Sequence, residues 1–271
     1  MFTVLISLCA GVGTGLGLGF SHVSSVGWAI FWGVFAFLLV QFSIGYYLQK
    51  KMRSTMTEVQ EIMKDGQRRL QAKVNGWQHR PPGSIKAAQD EIQHEQQRFV
   101  SQALLASEGL DKYRRWAPTM GRQIATLRLQ LYWMIKDFKN VDKQMPHALF
   151  FDPLMVCIKI ARMYMKKELD AIPPVFEKAA KRVAYGKGDL LFALYSWILV
   201  KENRIDDAHK VLARALEKSD NQILKTNKEN LANNRIAHFN NSGFGDQWYA
   251  LLLEEPKVKM QRQQPRYGRP F

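Results

Sequence analysis

The sequence predicts an all-α protein that begins with a membrane hairpin, and three observations carry this prediction. The chain has 39 Lys and Arg residues and 24 Asp and Glu residues, and none of them precedes Lys50. After residue 50, apolar residues recur every three or four positions, without the sustained alternation that a half-buried strand requires. Residues 154–216 also contain an internal repeat, in which two helix-like stretches recur after about 35 residues.

Composition excludes several classes of protein. The chain has 271 residues, of which 46% are hydrophobic and 23% charged, so it is too apolar to be disordered throughout. Its two Cys residues are too few for a disulfide scaffold. The formal net charge of +15 points to an anionic surface or partner. An uncharged end joined to a basic remainder predicts a membrane anchor followed by a soluble part.

Residues 1–49 form the predicted transmembrane hairpin. The two apolar stretches, residues 2–20 and 26–48, are each long enough to cross a hydrocarbon core of roughly 30 Å as a helix. The link from Ser21 to Ser25 is so short that the two spans must be antiparallel. A cleaved signal peptide is the alternative for the first stretch, but no Lys or Arg leads it and a second apolar stretch follows.

The basic residues Lys50, Lys51 and Arg53 orient this hairpin. They follow the second span directly, whereas the link between the spans contains no Lys or Arg. Basic flanks stay on the cytoplasmic side, so both chain ends are predicted to be cytoplasmic. A bacterial inner membrane is the predicted location, and these three residues are predicted to contact anionic lipid headgroups.

Five glycines of the first span lie at alternate positions and form two stripes. Gly11, Gly15 and Gly19 share one helix face, and Gly13 and Gly17 share roughly the opposite face. A dinucleotide-binding loop would need a βαβ unit, which the sequence does not predict. Small residues at this spacing instead let helices approach closely. One stripe is expected to pack on the second span, and contact of the other with a second copy of the chain remains open.

Residues 50–110 are predicted to form a helical stalk of two helices. A polar and proline-rich break, residues 79–84, separates them, and Ser84 is the predicted cap of the second helix. Each helix has an apolar seam, with interruptions at Gly66 and Lys73 in the first and at Glu95 in the second. The seam residues are Met52, Met56, Val59, Met63, Leu70 and Trp77, then Ile85, Ala88, Ile92, Phe99, Ala103 and Ala106. The stalk is therefore either a spacer or self-association element, or a pair of helices that packs on the following domain.

Residues 111–256 are predicted to form a helical-repeat domain. Asp152 and Pro153 open one helix, and Asp189 is the predicted cap of another. Large and small residues then alternate at helical spacing, and their positions resemble the tetratricopeptide repeat family. The residues that carry the resemblance are Phe192, Tyr195, Ser196, Leu199, Ala208, Leu212 and Ala215. The usual Trp, Gly and terminal Pro of that pattern are absent. The resemblance implies an α-solenoid of helix pairs over residues 152–220, with degenerate pairs on both sides.

Residues 222–255 are expected to supply a further pair that closes the stack. Members of the resembled family use Asn, Lys and Arg on their inner helices to hold extended peptides or terminal carboxylates. The resemblance therefore implies a partner-binding groove at Asn227, Asn230, Asn234 and Arg235. The alternative is that these residues are polar groups on a solvated face.

Residues 257–271 are predicted to be a disordered tail because they contain too little apolar surface to fold. The tail has five basic residues and no acidic residue, namely Lys257, Lys259, Arg262, Arg266 and Arg269. Its predicted contact is the anionic membrane surface. RNA or ribosome binding is the competing interpretation.

No catalytic or metal-binding motif is present in the sequence. The six His residues lie in neither an HExxH nor a paired-Cys spacing, and no Walker, GxSxG or kinase motif occurs. We therefore expect no enzyme, no cofactor and no metal site. The predicted function is a membrane-anchored scaffold that binds another protein, with a self-assembling structural protein and a membrane-tethered RNA-binding protein as alternatives.

Overall fold

A computed structural model describes residues 2–21, 25–77, 82–116 and 119–256, and within them it contains helices and turns but no strand. The all-α class is confirmed. Contacts between Cα atoms divide the chain into unit 1, Met1–Leu149, and unit 2, Phe150–Phe271. The helices of unit 1 are α1 (Phe2–Phe20), α2 (Val26–Gly76), α3 (Ile85–Glu108), α4 (Met120–Met134) and α5 (Phe138–Gln144).

The second apolar stretch and the first stalk helix are one continuous helix, α2, of 51 residues. Helix α1 packs along the first part of α2, and α3 packs along the later part of α2. Ser84 caps α3 as predicted, since its side chain accepts a hydrogen bond from the Ala87 N–H at 3.0 Å. Helices α1 and α2 are both long and apolar enough to cross a membrane.

Both stalk seams are used inside unit 1. Val59 of α2 packs with Phe99, Val100 and Ala103 of α3 and with Leu131 of α4 in one buried cluster. A second cluster joins the start of the stalk to the residues before and within α4; its buried members are Leu48, Met52, Leu110, Tyr113, Met120 and Ile124. Of the two alternatives for the stalk, the structure shows the packing of its seams against following helices.

The unit boundary lies after residue 149, whereas the sequence places the start of the repeat domain at residue 111. Helix α4 belongs to unit 1 because it is bonded to the stalk. Gln96 of α3 donates a hydrogen bond from Nε2 to the Met134 carbonyl at 3.1 Å. Arg128 of α4 donates to both the side chain and the carbonyl of Ser107, at 3.1 and 3.0 Å.

Unit 2 consists of short helices that follow one another in pairs. They are α6 (Pro153–Met165), α7 (Ile172–Ala180), α8 (Asp189–Lys201), α9 (Ile205–Leu216), α10 (Gln222–Ala232) and α11 (Asp246–Tyr249). Asp152 caps α6 as predicted. Asp189 is the first residue of α8, not its cap, and its carboxylate accepts a hydrogen bond from the Asn221 side chain at 3.0 Å. Helix α8 is apolar on all faces and is the central helix, in contact with α6, α7 and α9.

The same type of turn follows four of the described helices, and in each turn one residue has a positive φ. The N–H of that residue donates to the carbonyl three positions earlier. The N–H of the next residue donates to the carbonyl five positions before itself. This is the Schellman arrangement. The residues with positive φ are Lys136 after α4, Lys167 after α6, Asn203 after α8 and Asn234 after α10, with φ between 53° and 60°. Lys167 and Asn203 lie 36 positions apart, which agrees with the larger repeat interval in the sequence.

Lys167→Gly is expected to stabilise unit 2 by about 0.5–1 kcal/mol. A left-handed conformation costs an L-residue roughly 1–2 kcal/mol, and the greater freedom of Gly in the unfolded chain offsets part of the gain. Lys178→Gly, inside α7, is the matched control and should instead destabilise by about 1 kcal/mol. Amide hydrogen exchange of the full chain measures both changes. Equal destabilisation by the two substitutions would contradict the strained turn.

Candidate functional site

The two apolar helices approach closely through glycine. A Cβ atom on Gly11 would lie 2.8 Å from the Gly33 carbonyl oxygen, and one on Gly33 would lie 2.9 Å from the Gly11 carbonyl oxygen. Gly15 lies beside Ala29 in the same interface. Gly11 and Gly15 therefore pack against the second apolar helix of the same chain. Gly19 lies outside this contact, because a Cβ there would meet no atom within 4 Å.

The second glycine stripe has no neighbour among the described residues. A Cβ on Gly13 or Gly17 would meet nothing within 4 Å, and both residues are exposed. This face of α1 is therefore smooth and open.

The start of α1 is bonded to the turn before α4. The Phe2 N–H donates to the Arg115 carbonyl at 3.3 Å, and the N–H and hydroxyl of Thr3 donate to the Trp116 carbonyl at 3.2 and 2.9 Å. The first N–H groups of a helix have no partner within it, so these bonds satisfy them. They hold residues 114–116 at the end of the apolar hairpin.

A polar contact joins the two apolar helices near the same end. The Ser7 hydroxyl is fully buried and lies 2.8 Å from both the Thr3 carbonyl and Oε1 of Gln41. Interhelical hydrogen bonds of this kind fix the pairing of helices in an apolar surrounding.

Three exposed basic residues follow the apolar part of α2, and their contact with lipid headgroups stays a prediction. Lys50, Lys51 and Arg53 all point away from the core. The other five residues predicted to contact a polyanion, Lys257, Lys259, Arg262, Arg266 and Arg269, lie outside the described residues.

The surface of the hairpin is strongly apolar. In the most apolar stretches of α1 and α2, only 17% and 11% of the residues are buried. Its exposed side chains include Leu5, Phe31 and Phe42, which are 59%, 54% and 76% exposed. Monomeric soluble proteins rarely expose an apolar surface this extensive. The core of a soluble protein would instead bury such helices.

In unit 2, aromatic side chains join the two central helix pairs. The Phe176 ring of α7 is fully buried, stacks on Tyr195 at a centroid distance of 4.1 Å and meets Phe192 edge-on at 5.4 Å. Tyr164 of α6 meets Trp197 of α8 edge-on at 5.4 Å. These contacts connect the first pair, α6 and α7, to α8 of the second.

An ion pair also connects these two pairs. Arg214 of α9 donates a hydrogen bond to Glu177 of α7 at 2.7 Å. This bond and the positive charge of Arg214 lower the pKa of the Glu177 carboxyl. The pair is partly exposed, so its contribution to stability is small. Because a lowered folded-state pKa stabilises the ionised form, this contribution is present at neutral pH and lost as pH falls through the lowered pKa.

Asn227, the first predicted groove residue, lies in the core of unit 2. It is 2% exposed, and its amide donates to the Asn240 carbonyl at 3.0 Å and to Oδ1 of Asn241 at 2.8 Å. Its own Oδ1 accepts from the Asn240 N–H at 2.9 Å. Asn241 in turn donates to the Ala193 carbonyl of α8 at 3.0 Å. This amide network ties α10 and the following loop to the central helix.

The other three predicted groove residues lie at the end of α10. Asn230 is half-buried and donates to the His238 carbonyl at 3.2 Å. Asn234 has a φ of 53°, which Asn tolerates better than most residues. Arg235 is exposed. Asn230 and Arg235 are therefore near one another on an accessible edge, and their role in binding stays a prediction.

A carboxylate held by two indoles closes unit 2, and sequence reasoning did not find it. Glu254 accepts hydrogen bonds from Nε1 of Trp197 and Nε1 of Trp248, both at 2.8 Å. Trp248 is fully buried, and the two indole rings meet edge-on at 5.8 Å. A buried indole N–H requires an acceptor, so the acid following α11 completes the core. Only the three-dimensional fold brings Trp197 and Glu254 together.

Within the residues that the structure describes, no three His, Cys, Asp or Glu side chains are grouped as a metal site would require. Cys157 is fully buried in α6, and burial raises the pKa of its thiol far above the ordinary range. Such a thiol is protonated at neutral pH.

No protein-family model matches this sequence, and comparisons with curated proteins and with solved structures found no match.

Proposed function

We propose that this protein is a membrane-anchored scaffold whose helical repeat unit binds another protein. The observation that carries the proposal is the recurrence of one helix–turn–helix arrangement through unit 2. Helices α6 and α8 end in the same turn 36 residues apart, and α8 packs on both members of the preceding pair. Stacked helix pairs of this kind form extended surfaces on which partner proteins bind. A tetratricopeptide-like solenoid is the arrangement that we infer.

The membrane part of the proposal rests on the apolar surface of α1 and the first part of α2. The close approach of the helices at Gly11 and Gly33 supports a stable hairpin rather than a cleaved signal peptide. The hydrogen bonds from Thr3 to the Trp116 carbonyl support it as well. The basic residues Lys50 and Lys51 support an orientation in which the following helices are cytoplasmic. A bacterial inner membrane is the location we infer.

The accessible edge near Asn230 and Arg235 is the proposed place of partner contact. Arg235 is exposed and can bond bidentately to a carboxylate, and Asn offers both a donor and an acceptor. The partner that we infer is a subunit of a membrane complex, because the anchor confines the scaffold to the membrane surface. Asn227 supports this edge from inside, through the amide network, and Asn234 forms the turn that follows α10.

Thiol labelling tests the anchor and its orientation. In a chain with Cys9→Ser and Cys157→Ser, we expect Ser21→Cys to react with an impermeant maleimide only from the non-cytoplasmic side. Ser54→Cys, the matched control, should react only from the cytoplasmic side. Both variants should remain in the membrane after alkaline carbonate extraction. Release by carbonate, or labelling of both thiols from one side, would contradict the proposed anchor.

Self-assembly through the open glycine face is the second candidate function. Gly13 and Gly17 leave a smooth surface on α1 that a second copy could approach. The stalk seams do not support this candidate, because they are buried within unit 1. Crosslinking in membranes discriminates between the two functions, since a result of monomers alone removes self-assembly. RNA binding depends on residues 257–271, and loss of bound RNA when they are deleted would favour it.

A further inference from the structure

Unit 1 contains a polar pocket that the proposed function does not use. It has a volume of about 230 Å³ and lies between the turn before α4, the first half of α4 and the end of α5. Its polar lining residues are Asp111, Arg114, Arg128, Lys143, Gln144 and His147.

The charge of the pocket is positive. Arg114, Arg128 and Lys143 supply positive charge, whereas Asp111 is the single carboxylate among the described residues of the lining. Asp111 is already paired with Arg128, through hydrogen bonds of 3.0 and 2.8 Å. Arg114 and Lys143 therefore contribute charge that the lining does not neutralise, which favours an anionic ligand.

The pocket is built on a fixed cation. The Arg128 side chain is 15% exposed and is held by Ser107 as well as by Asp111. Four of its five N–H donors are thereby used, which fixes the plane of the guanidinium. Arg128 therefore forms a fixed part of the pocket lining, whereas the exposed side chains of Arg114, Lys143 and His147 can adjust to the ligand.

The first turn of α4 forms another wall. Gly121 lines the pocket, and a Cβ there would lie 3.3 Å from Cγ of Arg114. The absence of a side chain lets Arg114 lie over this turn. The first turn of a helix carries partial positive charge and unpaired N–H groups, so it adds to the attraction of an anion.

The pocket lies next to the end of the apolar hairpin. Arg114 directly precedes Arg115 and Trp116, whose carbonyls accept hydrogen bonds from the start of α1. If α1 crosses a membrane, Arg114 therefore lies near the headgroups, at the end of the hairpin where Leu48 and Met52 pack with Leu110 and Tyr113. An apolar acyl chain does not suit so polar a lining, but a phosphate group does.

We propose that this pocket binds a phosphate group, carried either by an anionic lipid headgroup or by a soluble phosphate. The lipid source rests on the proposed membrane anchor, whereas binding of free phosphate does not. Bidentate contact from Arg114, a point charge from Lys143 and a donor from His147 would surround the phosphate oxygens.

Calorimetry of the full chain in a non-ionic detergent, with inorganic phosphate as titrant, tests the pocket. The variant Arg114→Gln/Lys143→Gln is expected to lower phosphate affinity at least about tenfold, since two charge-assisted contacts are lost. The matched control is Arg122→Gln/Lys139→Gln, which removes the same amount of charge from exposed positions of α4 and α5 outside the pocket and should change affinity less than about twofold. Equal loss in both variants would overturn the assignment.

Native mass spectrometry with vesicle-derived lipid identifies the source. Retention of phosphatidylglycerol over phosphatidylcholine, lost in the pocket variant and kept in the control, assigns a lipid headgroup. Phosphate binding without such retention assigns a soluble phosphate. Binding of neither overturns the proposal. Carbonate extraction separately reports on the anchor, so failure of the pocket and failure of the proposed function are distinguishable.

Discussion

Gly66→Leu is expected to separate α2 from α3 and to destabilise unit 1 by about 3 kcal/mol. A Cβ atom on Gly66 would lie 2.6 Å from Cβ of Phe99 and closer still to its ring. The aromatic side chain occupies the space that any side chain at position 66 would need. Because both helices are held by a buried cluster that includes Val59, Val100 and Ala103, the overlap cannot be relieved by a small shift.

Amide hydrogen exchange of the full chain in detergent measures this effect within α2 and α3. Gly76→Leu is the matched control, because a Cβ at the end of α2 meets nothing within 4 Å. Combining Gly66→Leu with Phe99→Ala should recover part of the loss, since the new side chain can fill the vacated space. Unchanged exchange in Gly66→Leu would contradict the packing of the stalk.

Phe176→Ala is expected to destabilise unit 2 by about 3–5 kcal/mol, the usual cost of removing a buried Phe ring. The ring is fully buried between the helix pairs, stacked on Tyr195 and edge-on to Phe192, with the Arg214 guanidinium 5.8 Å from its centroid. Its loss leaves a cavity at the contact that joins α7 to α8. The expected result is faster exchange in both helices.

Phe151→Ala is the control for this prediction, because Phe151 belongs to the same unit and is 77% exposed. The same chemical change there should alter stability by less than about 0.5 kcal/mol. Hydrogen exchange and urea unfolding of the full chain both report the difference. A similar effect of the two substitutions would show that Phe176 does not hold the helix pairs together.

Helices could be predicted from the sequence because they leave periodic apolar patterns. The seams from Met52 to Leu70 and from Ile92 to Ala106 correspond to packed helix faces. The repeat interval of 36 is visible again in the turns at Lys167 and Asn203. Local capping rules also identified Ser84 and Asp152 correctly.

Features that depend on distant partners could not be predicted. Gly66 interrupts an apolar pattern in the sequence, but in the structure its missing side chain makes room for Phe99. Asp is a common capping residue, but Asp189 is the first residue within α8, and its carboxylate accepts a hydrogen bond from the Asn221 side chain. Asn227 is a polar residue of an amphipathic helix, so the sequence does not indicate that it is buried. In the structure it is buried and accepts a hydrogen bond from the loop residue Asn240.

The domain boundary differs for a related reason. Residues 120–134 have the same amphipathic pattern as the helices of unit 2, so the sequence groups them with the repeats. In the structure Arg128 and Gln96 bond this helix to the stalk. Periodicity therefore identifies a helix and its apolar face, whereas only the structure shows that this face meets the stalk.

Quantitative affinity purification of the full chain from native membranes tests the scaffold proposal most directly. We expect one protein partner at constant stoichiometry, reduced at least about tenfold in Asn230→Ala/Arg235→Gln, which removes the contacts proposed for the accessible edge. The control Lys178→Gln, on the exposed face of α7, should retain the partner in full. A membrane-integrated, folded chain that recovers no protein at constant stoichiometry would contradict the proposed scaffold.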